Sequence, residues 1–130
     1  MSSLYVRSRV REWCAALSLP FHDTVNTEVS PADPAWLTVQ FINAQSSALD
    51  FCRSKWERGT FDLIVLTKGN TSDAILAQAE ADLAQLMTRQ DPGARLCLIT
   101  AGPFEDFFQP ASARWFALSA AVDYQYLHHT

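Results

Sequence analysis

The chain has 130 residues, 48% of them hydrophobic, which suits a single α+β domain over residues 1–130 with a core of its own. Its formal net charge of -4 is the wrong sign for broad phosphate neutralisation and argues against specific nucleic-acid binding. Three cysteines without paired spacing argue against a disulfide framework, and no apolar run reaches the ~20 residues of a membrane helix.

At the start, Arg7, Arg9, Arg11 and Glu12 interrupt the chain before a signal-peptide core develops. Val6, Val10, Trp13 and Leu17 fall at spacings of four, three and four, which predicts a helix from Ser3 to Leu17, with Ser2 or Ser3 as cap. Pro31 and Pro34 make Phe21 to Ala35 a loop or a short extended piece. Leu37, Val39 and Phe41 then alternate with Thr38 and Gln40, the period of a half-buried strand from Trp36 to Ile42. Asn43 to Ser47 is expected to turn the chain into a second alternating stretch with Leu49, Phe51 and Arg53, ending near Lys55. Gly59 is expected to turn it again into the apolar strand Thr60 to Thr67. These three strands would form an antiparallel meander.

Gly69 and Asn70 break that strand, and Thr71 or Ser72 caps a second helix with Ile75, Ala79, Leu83 and Leu86 on one face. Asp91, Pro92 and Gly93 end it, and Arg95 to Thr100 reads as a strand. Residues 111–122 are alanine-rich enough for helix, yet Phe116, Leu118, Ala120, Val122, Tyr124 and Tyr126 alternate, which favours a strand from Arg114 to Tyr126. Such a strand would span roughly 40 Å, long enough for its end to pair outside the protomer. The predicted order is α-β-β-β-α-β-β, a mainly antiparallel or mixed five-stranded sheet with two helices packed on one face.

No constellation for catalysis emerges from the residue types. Cys14 with His22, or Cys52 with a histidine, has the elements of a thiol–imidazole pair, but each of the three cysteines lies in a predicted helix or strand, where cysteine behaves as a small hydrophobe. His128 and His129 lack further metal ligands nearby in the sequence. The turn Thr67 to Asp73 leads from strand to helix like a phosphate loop but lacks its glycine and lysine pattern. The expectation is therefore no enzyme activity, no cofactor and no metal. Apolar bulk in predicted loops, Phe21 and then Phe104, Phe107 and Phe108 within GPFEDFFQP, reads either as a loop folded over its own core or as a subunit contact.

The segments PFHDTVNTEVSPADPAWLTVQF (Pro20 to Phe41), FCRSKWERGTF and VDYQY, in this order of elements, resemble the tail terminator-like proteins of long-tailed bacteriophages and prophages. The resemblance covers roughly Val6 to Tyr126. It implies a minor tail or tail completion protein: an α+β subunit that closes into a homo-oligomeric ring, commonly a hexamer, caps the tail tube and joins it to the head connector. It implies no catalytic residues, DNA passing through the ring, and residence in the host cytoplasm during assembly and then in the virion tail. The interface residues expected on this reading are Phe21, Trp36, Phe104, Phe107, Phe108, Tyr124 and Tyr126. A neck or head-completion protein of similar fold, or a monomeric or dimeric binding module, are the alternatives.

Overall fold

The computed structural model describes residues 3–22, 35–48, 54–68, 73–89, 91, 95–106 and 115–129. Helix α1 (Leu4–Ala15) starts where Ser3 holds extended backbone and its Oγ accepts from the Val6 N–H at 3.4 Å, an N-cap. Val6, Val10, Trp13 and Cys14 are buried along its inner side. The helix stops just short of the expected Leu17, because the Leu17 N–H closes a tighter turn onto the Cys14 carbonyl at 3.2 Å. Leu17 and Leu19 are nonetheless buried in the core.

Two long strands follow, β1 (Ala35–Ala48) and β2 (Ser54–Lys68), paired antiparallel from Ala35↔Thr67 to Ala48↔Lys55. Here the expected three-stranded meander is corrected. Asn43 to Ser47 does not turn the chain but continues β1, and the stretch around Leu49, Phe51 and Arg53 lies outside the described residues. The physical reason is a β-bulge at Ile42: Phe41 pairs with Phe61 and Asn43 with Thr60, so the strand absorbs one extra residue and its alternation resumes in a new phase. Gly59, expected as a turn, lies inside β2 opposite Tyr124.

Helix α2 (Asp73–Met87) buries Ala79, Leu83 and Leu86 as its spacing predicts, and Asp82 with them. Strand β3 (Leu96–Ala101), the two-residue β4 (Glu105–Asp106) and β5 (Trp115–His129) complete the chain, so residues 115–122 are strand. The element order is thus α-β-β-α-β-β-β rather than α-β-β-β-α-β-β. The sheet runs β1-β2-β5-β3, antiparallel throughout, with β4 as a short addition on β5, in place of five full strands. An isolated parallel bridge joins Phe21 to Leu37.

The length of β5 has a cause other than the expected pairing outside the protomer. It is a central strand, matched to β2 from Lys68↔Trp115 to Ser54↔His129 and to β3 on its other side. Both helices cover one face of the sheet, where Leu37, Val39, Phe61, Leu63, Val65, Val122 and Tyr124 join Val6, Val10 and Leu86 in one core. Helix α1 lies against β1 and α2 against β3. On the other face Trp36, Ile64, Leu66 and Ala117 form a second buried cluster. Burial on both faces accounts for the unbroken apolar run Leu63 to Leu66, in which alternation disappears.

Candidate functional site

Three of the described carboxylates lie inside the protomer, and each holds a fixed set of groups. Glu57 on β2, 3% exposed, accepts from the Ser3 N–H at 3.1 and 3.2 Å and from the Tyr124 hydroxyl at 2.8 Å, which anchors the start of α1 to the sheet. Asp82 on α2 accepts from the backbone N–H groups of Ser18 (3.2 Å) and Leu19 (3.0 Å) and from the Ser18 hydroxyl (2.5 Å), which ties the turn after α1 to α2. Asp91, just beyond α2, accepts from the Tyr5 hydroxyl at 2.5 Å and pairs with Arg9 Nε at 3.0 Å. Tyr5 in turn stacks on Tyr126, centroids 5.0 Å apart. Carboxylates engaged in this way fix the positions of helix ends; they are buried because they satisfy donors that would otherwise be stranded.

The thiols and imidazoles are dispersed among different environments. Cys14 is fully buried, and desolvation, helped by the charge of Asp82, pushes its thiol up to about 12. Such a buried thiol stays protonated at neutral pH, unsuited to a nucleophile. Cys97 is exposed on β3, and Cys52 lies outside the described residues. His22 meets the edge of the Trp36 ring at 5.5 Å. Among the described residues no group of three or more histidine, cysteine or acidic side chains is placed to hold a metal ion. No described helix is long and apolar enough to cross a membrane.

The face of the sheet away from the helices bears an open groove of about 730 Å³, where Asn43, Gln45, Arg58, Thr60, Thr100, Asp123 and Gln125 alternate with inward-facing core residues. Both oxygens of Asp123 are occupied, by Thr60 Oγ1 at 2.8 Å and Thr100 Oγ1 at 3.1 Å. The three side chains form a ladder across β2, β5 and β3. Bulges at Ile42 in β1 and Ile99 in β3 flank it, and these isoleucines are 53% and 51% exposed. The groove offers hydroxyls, amides, one carboxylate and one guanidinium to a ligand, the chemistry of polar recognition.

The residues expected at a subunit interface are distributed differently. Tyr124, Tyr126 and Trp36 are 1%, 7% and 3% exposed, so they belong to the protomer interior and none is offered at its surface. The burial of Tyr124 and Tyr126 follows from β5 being a central strand, and that of Trp36 from the second cluster it forms with Ile64, Leu66 and Ala117, placements that alternation alone does not reveal. Phe21 and Phe104 are half-buried against the main core, which agrees with a loop folded over its own core. Phe107 and Phe108 lie outside the described residues. Missed by sequence reasoning were the two bulged isoleucines, which sit in otherwise regular alternating runs and carry no composition signal. Also missed was the division of labour among the arginines of α1. Arg9 is taken up by Asp91, Tyr5 and Glu12, whereas Arg7 and Arg11 both lie over the Phe41 ring, at 5.9 and 5.6 Å from its centroid. No family model and no curated protein matches this chain.

Proposed function

We propose that the chain is a non-catalytic structural subunit that assembles with copies of itself, and that it serves as a phage or prophage tail terminator-like protein. In this role it closes into a ring, caps the tail tube and joins it to the head connector. The resemblance of Pro20 to Phe41, FCRSKWERGTF and VDYQY supports the family assignment. The observation that carries the assembly reading is the pair of bulged isoleucines: Ile42 and Ile99 stand about half in water on β1 and β3, the two strands that end the sheet. A ring contact is heterologous and needs two different patches on separate sides of each subunit, which these edges supply. The non-catalytic reading is supported by the engagement of Glu57, Asp82 and Asp91 in holding helix ends and by the protonated state of Cys14.

DNA passage through the ring belongs to the same proposal. Among the described carboxylates Glu57, Asp82 and Asp91 are interior and do not face any channel, so the walls would owe their character to Asp123, Asp62 and the side chains around them, Arg58 included. The second reading, a monomeric or dimeric binding module, is favoured by the polar groove around Asp123. Electron micrographs of the purified protein over a wide concentration range separate the two. Closed rings of uniform diameter are the result expected of a tail terminator-like subunit, and featureless small particles at every concentration favour the binding module.

A further inference from the structure

The two helices share a face of the sheet but lie over opposite edges, α1 against β1 and α2 against β3. Helix α1 carries Arg7 and Arg11 over Phe41 of β1, with Glu12 exposed further out, whereas the exposed charges of α2 are Asp73 and Glu80. On the α1 side Arg7 is half-buried over the Phe41 ring, and no described carboxylate lies within ion-pair distance of it. Its Nε is already out of water without an acceptor, so one donor of this guanidinium has been desolvated within the protomer. The ring also fixes the guanidinium in place, which reduces the side-chain entropy lost when a carboxylate docks on it. Arg11 adds a second guanidinium over the same ring.

On the α2 side Asp73 and Glu80 are exposed and make no ion pair among the described residues. The exposed helix residues between and beyond them are alanine and glutamine, and the first cation on that side is Arg89, past the helix end. Asp82, the other acid of α2, points inward to Ser18 and Leu19 and takes no part. The α1 side thus sets Arg7 and Arg11 beside β1 and the α2 side sets Asp73 and Glu80 beside β3, with Glu12 on α1 and Arg95 before β3 as exposed charges of the other sign, and a half-exposed isoleucine stands on each edge strand, Ile42 and Ile99. Bulges on edge strands disfavour a long backbone ladder between copies, so a contact between these edges would be made by side chains.

We propose that copies of this chain join head to tail, with Asp73 and Glu80 of one copy against Arg7 of the next and Ile99 and Ile42 within the same contact. The occupant of each flank is a second copy, because one chain carries both halves of a charge-complementary pair on separate sides. This contact rests on the assembly reading above and specifies which surfaces make it. Like-signed flanks repel, so two copies do not close face to face through the same patch, and the association propagates with one handed step until it closes.

The test uses two variants, Arg7→Glu and the double variant Asp73→Arg/Glu80→Arg, each checked for an unchanged melting curve and followed by sedimentation beside the wild type. Each variant alone is expected to need at least about tenfold more protein to assemble, a loss of about 1.4 kcal/mol per contact. Mixed one to one, they are expected to recover wild-type assembly, because the charge-reversed α1 flank of the first variant meets the charge-reversed α2 flank of the second and the remaining two flanks are native. Wild-type assembly by either variant alone, or a folded mixture that fails to recover, overturns this contact while leaving assembly by another surface standing. A wild type that stays monomeric throughout overturns both the contact and the assembly reading.

Discussion

Gly59 faces Tyr124 across the β2–β5 ladder, and a Cβ at that position would run into the Tyr124 hydroxyl and the Asn43 carbonyl oxygen. The missing side chain lets the Tyr124 ring lie over the strand and reach Glu57 at 2.8 Å. Gly59→Ala should therefore destabilise the fold by about 1–3 kcal/mol, the usual range for overpacking, read as a lower midpoint in urea unfolding. At Asp62, on the groove face of β2, burial holds the carboxyl above its ordinary range. The folded state then binds that proton more readily than the unfolded chain does. The resulting penalty is absent below the unfolded value of about 3.9 and grows as pH rises through the folded one. Asp62→Asn should raise the melting temperature at neutral pH and lose that advantage in acid; an equal shift at both pH values would contradict it. Cys97, exposed, should react with an alkylating reagent in the native protein, while Cys14, buried and protonated, should react only on unfolding.

Among the elements, the join between α1 and α2 depends on one side chain. Asp82→Ala would strand the buried N–H of Leu19 and the neighbouring N–H of Ser18, at about 1–3 kcal/mol per fully buried group, whereas Asp82→Asn keeps an acceptor and should cost less. Hydrogen exchange at Ser18 and Leu19, faster in the alanine variant, would locate the effect. Both helices were legible in the sequence because Val6, Val10, Trp13 and Ala79, Leu83, Leu86 keep helical spacing on faces that do pack. The hairpin was not, since a bulge at Ile42 shifts the phase of β1 just where polar residues begin, and the two together imitate a turn. Gly59 misled for a related reason: its cause is the ring of Tyr124, some sixty residues on in the chain, and no local pattern contains it. The aromatic alternation of β5 was read correctly as a strand. That it lies between β2 and β3, with Tyr124 and Tyr126 in the core, is a matter of sheet order rather than of its own residues.

For the whole molecule, the candidate site was legible only in part. Composition pointed to a chain without evident catalytic groups, but the residues expected at the interface turned out to include core aromatics, and the surfaces that distinguish one side of the protomer from the other are the edges of the sheet. Charge along a helix does not tell which arginine is consumed inside the protomer, as Arg9 is by Asp91, and which stays available, as Arg7 does. Burial of Glu57, Asp82 and Asp91 likewise separates net charge from surface charge. What remains outside is a sheet with two unlike edges, Arg7 beside one and Asp73 and Glu80 on the helix beside the other, each with an isoleucine half in water. Native mass spectrometry of the wild-type chain over a wide concentration range tests the assembly of such subunits most directly. A closed oligomer of defined copy number, dissociating in high salt as paired charges are screened, is the expected result. A monomer at every concentration and salt would contradict it.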